Sequence, residues 1–106
     1  MQLSEIQEKV KKFTQEYDME NPPEHRVLDL VSEIGETAKE LLKMSQYGRE
    51  PLKYRENVLD ELGDVMYSLI TVANYFNVDL DKSLDKVLEK YERRIRKGGS
   101  AGSEND

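Results

Sequence analysis

The chain has no cysteine, no tryptophan, a single histidine and only three prolines among its 106 residues. Without cysteine there is neither a disulfide scaffold nor a thiolate metal site, and His25 alone cannot supply a histidine-rich one. No stretch approaches the roughly 20 apolar residues of a membrane span. The opening Met-Gln-Leu-Ser-Glu lacks the basic region and apolar core of a signal peptide. A soluble, cytoplasmic protein with no membrane partner is the expectation. Basic residues are also in the minority: 16 Lys and Arg stand against 22 Asp and Glu, for a net charge of −6. That balance argues against a protein that coats nucleic acid, which needs a basic surface facing the phosphate backbone.

Carboxylates are plentiful, and two short motifs order them: Glu33-Ile34-Gly35-Glu36 and Glu61-Leu62-Gly63-Asp64. Both read acid, aliphatic, glycine, acid. Within a helix the two acids of each motif are neighbours on one face. If the two helices lie side by side, Glu33, Glu36, Glu61 and Asp64 can converge as oxygen ligands for a hard divalent cation such as Mg²⁺. A cation there would also let so acidic a protein hold a polyanion.

The length corresponds to one domain, read as residues 1–97 with a disordered tail over 98–106. Helix 1 is expected from about Ser4 to Met19. Ser4-Glu5-Ile6-Gln7 has capping-box form, and Leu3, Ile6, Val10, Phe13 and Tyr17 recur at helical steps. Asn21-Pro22-Pro23 breaks it, and Pro23 suits the first turn of helix 2, which runs to about Met44. Its stripe of Val27, Val31, Ile34, Ala38 and Leu41, widened by Leu28 and Leu42, is assigned to the core. On a wheel of about 100° per residue, Glu33 and Glu36 then fall opposite that stripe.

Gln46 to Lys53, with Gly48 and Pro51, reads as a loop. Helix 3 resumes near Tyr54 and continues to about Phe76, apolar on more than one side, as befits a central helix or an oligomer interface. Asp79 is the expected N-cap of helix 4, which ends in Arg93, Arg94, Arg96 and Lys97, where cations favour the helix dipole. No strand pattern competes, so the fold class is all-α, an antiparallel four-helix bundle with short connections. Gly35 and Gly63 each cost such a helix about 1 kcal/mol relative to alanine. Either they are ordinary packing positions, or they admit a close helix or a bound group.

Leu30-Val31-Ser32-Glu33-Ile34-Gly35-Glu36, followed by Asp60-Glu61-Leu62-Gly63-Asp64-Val65, resembles the MazG-type nucleoside triphosphate pyrophosphohydrolases, which carry E-E-x-x-E and then E-x-x-D. The likeness runs from about Ile6 to Arg94 and includes Val72-Ala73-Asn74 and Val78-Asp79-Leu80. It implies an all-α enzyme that cleaves a nucleoside triphosphate between the α and β phosphates, assembles as a homodimer or homotetramer, and uses Mg²⁺, with Mn²⁺ as a substitute. Glu33, Glu36, Glu61 and Asp64 take the metal positions, and Glu36, central to the group, is the candidate catalytic acid or base. Ser32 departs from the pattern, which puts the number of metals in question.

Lys86, Lys90 and Arg93 share a face of helix 4 and serve either the substrate phosphates or the helix terminus. Asn74 reaches either the substrate or a neighbouring helix. Tyr17, Met19, His25 and Tyr47 are candidates for contact with a base, although Tyr17 also completes the helix 1 stripe. Two other readings stand beside this one: a related phosphoribosyl-ATP pyrophosphohydrolase, and a non-catalytic helical interaction module. A di-iron bundle would need Glu-x-x-His motifs, which the sequence lacks.

Overall fold

The computed structural model describes residues 2–99 and 102, so most of the expected tail lies outside the described residues. Four helices follow in order: α1 (Leu3–Glu16), α2 (Pro23–Met44), α3 (Asn57–Tyr75) and α4 (Leu80–Arg96). There is no strand among the described residues. Pro23 opens α2, its fixed φ and missing N–H suiting the first turn. Asp79 caps α4 as expected, its Oδ1 accepting from the Asp81 amide at 3.0 Å. Helix 3 begins three residues later than its apolar pattern suggests, at Asn57 rather than Tyr54.

The capping box at Ser4 does not form. Gln2 is the N-cap of α1 and makes no side-chain cap bond. Asp81 of α4 takes over instead, accepting from the amides of Leu3 and Ser4 at 3.0 and 3.1 Å. Those amide hydrogen bonds, Ser4 before Leu3, pull the Asp81 carboxyl below its ordinary value against some desolvation.

A second link joins the same two helices. Buried Gln7 donates to Asn74 Oδ1 and to the Val78 carbonyl, while its Oε1 accepts from the Leu80 amide at 2.9 Å. Asn74 Nδ2 returns a bond to the Gln7 carbonyl at 3.0 Å. One glutamine therefore satisfies backbone groups exposed where α3 turns into α4, which fastens that turn to α1.

Packing is dominated by the α2–α3 pair, with α1 on α3 and α4 resting on α1. The all-α architecture with four helices is as expected, but α4 does not close a bundle over α2 and α3 within the chain. The radius of gyration, 16.9 Å, exceeds the roughly 13 Å of a compact domain of this length.

The second departure concerns which face of α2 is inside. Apart from Pro23 and Lys43, the buried or half-buried positions are Arg26, Leu30, Glu33, Thr37, Glu40 and Met44, at alternating steps of four and three. The apolar stripe of Val27, Val31, Ile34, Ala38 and Leu41 is exposed. The inner seam is thus displaced from the expected one by a single residue, about 100° around the helix. Helix α3 repeats the arrangement: Val58, Glu61, Val65, Ser68 and Val72 turn inward, while Leu59, Leu62, Met66 and Leu69 are exposed. An alanine Cβ at Gly35 or Gly63 would meet nothing within 4 Å, so neither glycine serves a close approach inside the chain.

Candidate metal centre

Because α2 and α3 run antiparallel along the inner seams, their acidic motifs meet midway. Glu33, Glu61 and Asp64 each bring one carboxylate oxygen within 4.8 Å of the others. Glu33 and Glu61 are half-buried and Asp64 is exposed. Glu36, also exposed, stands close enough for its charge to act on both Glu33 and Glu61 but is not one of the three converging carboxylates.

Burial is the largest cause that raises the Glu33 carboxyl above its ordinary value, followed by the charges of Glu36, Asp64 and Glu61. Burial leads for Glu61 as well, followed by Glu36, Asp64 and Glu40. Every charged neighbour acting on the two glutamates is therefore another acid. The Oε2 atoms of Glu33, Glu61 and Glu40 are buried and lack a hydrogen-bond partner.

Orphaned, mutually repelling carboxylate oxygens at this spacing lack positive charge, and hard oxygen donors suit Mg²⁺ or Mn²⁺. The residues present fit such an ion. Glu40 was not expected here, yet the sequence carries its signal: it lies seven residues after Glu33 and four after Glu36, on the same inner face. It also pairs with Lys43 at 3.6 Å. Ser32 is exposed and outside the cluster.

Other candidates are placed differently. Asn74 is engaged with Gln7, the helix-bonding one of its two possible roles, and also lines a cavity beside α1. Lys86, Lys90 and Arg93 lie on α4, which packs on α1. Tyr17 is exposed, with its ring 4.9 Å from that of Phe13. Met19, His25 and Tyr47 are exposed as well.

Tyr67, three residues after Asp64, has a buried hydroxyl without a partner. Its ring meets Phe13 edge-on and lies 5.9 Å from the Arg26 guanidinium.

An all-α fold with oxygen donors converging on one helix pair defines a carboxylate-centred domain suited to a hard cation. The chain belongs to the MazG nucleotide pyrophosphohydrolase family, whose domain matches residues 21–98. It is 34% identical over 68 residues to protein YpjD of Bacillus subtilis (strain 168), an alignment that spans 61% of this chain and 60% of that protein. The crystal structure of YPJD from Bacillus subtilis superposes with a TM-score of 0.72 at 26% identity, covering 85% of this chain and 94% of that one. The crystal structure of the Bacillus-conserved MazG protein, a nucleotide pyrophosphohydrolase, gives a TM-score of 0.73 at 26% identity, covering 86% and 90%. No helix among the described residues is long and apolar enough to cross a membrane.

Proposed function

We propose that this protein is a divalent-cation-dependent nucleoside triphosphate pyrophosphohydrolase, releasing a nucleoside monophosphate and pyrophosphate. The observation that carries the reading is the convergence of Glu33, Glu61 and Asp64 on the α2–α3 seam, with buried glutamate oxygens that no protein group satisfies. Glu33, Glu36, Glu61 and Asp64 would hold Mg²⁺, with Mn²⁺ as a substitute. When bound, the cation would supply positive charge to the phosphate oxygens and favour ionisation of water.

The remaining chemistry belongs to the side chains. Glu36, exposed beside Glu33 and Glu61, orients a water toward the α-phosphorus and takes its proton. An oxygen–phosphorus bond forms as the bond between the α-phosphorus and its bridging oxygen breaks, and that oxygen leaves with pyrophosphate. Glu36→Gln and Asp64→Asn are each expected to abolish Mg²⁺-dependent pyrophosphate release while helicity and melting temperature are kept. Full activity in either variant would remove that residue from the mechanism. A panel of nucleoside triphosphates, with phosphoribosyl-ATP included, distinguishes this activity from that of the related histidine-pathway enzyme.

Assembly as a homodimer or homotetramer is part of the proposal. Only Met44, Ile70 and Ala73 are buried apolar residues among the described residues. So small a core leaves a chain of this size marginal by itself. The outward stripes of α2 and α3 and the exposed Leu84, Leu88 and Ile95 of α4 offer a second copy the apolar surface that one copy leaves uncovered.

A further inference from the structure

Arg26 is 6% exposed, yet its guanidinium meets no carboxylate and no hydrogen-bond acceptor among the described residues. Among the described residues its partner is the Tyr67 ring, and Phe13 meets that ring edge-on. The guanidinium carbon lies 5.9 Å from the Tyr67 ring centroid, a cation–π contact that leaves the N–H donors unused. Its nitrogens make no hydrogen bond yet are not sealed from solvent, so the charge of this otherwise buried side chain opens on the adjoining cavity, where an anion could complete it.

The side chain lines a cavity of about 420 Å³ between α1, the α1–α2 connection and the C-terminal half of α3. Lys11 adds a second cation to its wall, Thr71 and Asn74 supply polar groups, and Glu20 stands on the connection. Glu20 is exposed and makes no ion pair with Arg26.

Arg26 also precedes Glu33 by seven residues on the inner seam of α2. Two turns of helix, about 10 Å of rise, separate the positive group from the carboxylate cluster along one line.

We propose that Arg26, assisted by Lys11, forms an anion subsite in this cavity that takes a phosphate group. That this phosphate belongs to the substrate rests on the pyrophosphohydrolase reading above; that the subsite takes phosphate does not. A planar guanidinium with paired donors matches two phosphate oxygens. A neutral base could accept its hydrogen bonds but would leave the charge unanswered. Arg26 is then a substrate-positioning residue, held by an aromatic ring instead of an acid so that its donors remain available.

The test is calorimetric titration of the full chain and its Arg26→Met variant with three probes: a nucleoside triphosphate bearing an α,β-methylene bridge, pyrophosphate and inorganic phosphate. Each runs with Mg²⁺ and again with chelator, and Mn²⁺ alone is titrated in parallel. Loss of this charge-assisted contact is expected to weaken the analogue by about tenfold or more while Mn²⁺ affinity is unchanged. A loss confined to the analogue assigns the phosphate to the substrate; a loss for pyrophosphate and phosphate too shows that the subsite also takes free anions. Equal affinity of wild type and variant for all three probes overturns the proposal.

Failure of Mn²⁺ to bind either protein would sink the metal reading alone, because the chelator arm still measures Arg26. Because the Arg26 nitrogens open on the cavity and make no hydrogen bond within the chain, Arg26→Met should keep a melting temperature close to that of wild type. If that variant does not fold, Lys11→Gln, altered at an exposed position, decides. It should weaken the analogue by about two- to threefold, and an unchanged affinity overturns the proposal.

Discussion

Leu62 gives the sharpest test of the outward apolar face. It keeps 54% of its surface exposed within the chain, on the stripe with Leu59, Met66 and Leu69. Burying a leucine fully contributes about 1.5–3 kcal/mol, so covering the exposed half contributes about 1 kcal/mol. A two-fold interface uses the residue twice. Leu62→Ala is therefore expected to cost association about 2 kcal/mol, roughly a thirtyfold rise in the dimer dissociation constant.

Sedimentation across a dilution series from micromolar to nanomolar reads that shift directly. Ile70→Ala is the control: at 2% exposure it should destabilise the fold by about 2–5 kcal/mol. A wild type that is monomeric at micromolar concentration, or a Leu62→Ala dissociation curve that overlays wild type, would refute assembly through this face.

The pH dependence of stability has a definite sign. Glu33 and Glu61 have carboxyl groups raised by folding, so between their ordinary and raised values the folded state holds more protons than the unfolded one, and stability falls as pH rises through that window. In chelator the melting temperature should therefore climb as pH is lowered toward the ordinary glutamate value, and Mg²⁺ should flatten the trend; a fall on that approach in chelator would contradict the burial and repulsion described for the cluster. Asp81 acts oppositely, since its lowered value contributes stability that is lost only at more acid pH. Gln7→Ala would leave the Leu80 amide and the Val78 carbonyl unpaired, at about 1–3 kcal/mol each. Chemical denaturation should show that loss, together with faster hydrogen exchange where α3 meets α4; an unchanged midpoint would mean that water replaces the glutamine.

The four helices and the pairing of the acids are legible because both are local. Steps of three and four residues, Pro23 and Asp79 specify helices whatever those helices touch. Glu33 with Glu36, and Glu61 with Asp64, share a face wherever the helix lies. Asp81 at the head of α1 and Gln7 under the α3–α4 turn are not legible, because each acts across more than 70 residues of chain. Arg26 escapes for the same reason: a single arginine at the start of a helix looks like any solvated cation until Tyr67 and the cavity are placed beside it. Glu40 was within reach, since its spacing from Glu33 and Glu36 is helical.

Periodicity alone thus determined that this chain is four amphipathic helices carrying two acid pairs. Only the packing of α2 on α3 decided that the face with Glu33 and Glu40 turns inward and the stripe with Val31 and Ile34 turns outward. The physical reason is that a helix repeat ranks its own faces by polarity but names no partner for either. An apolar stripe gains equally from cover by its own chain or by another, and buried acids are tolerable where a cation completes them.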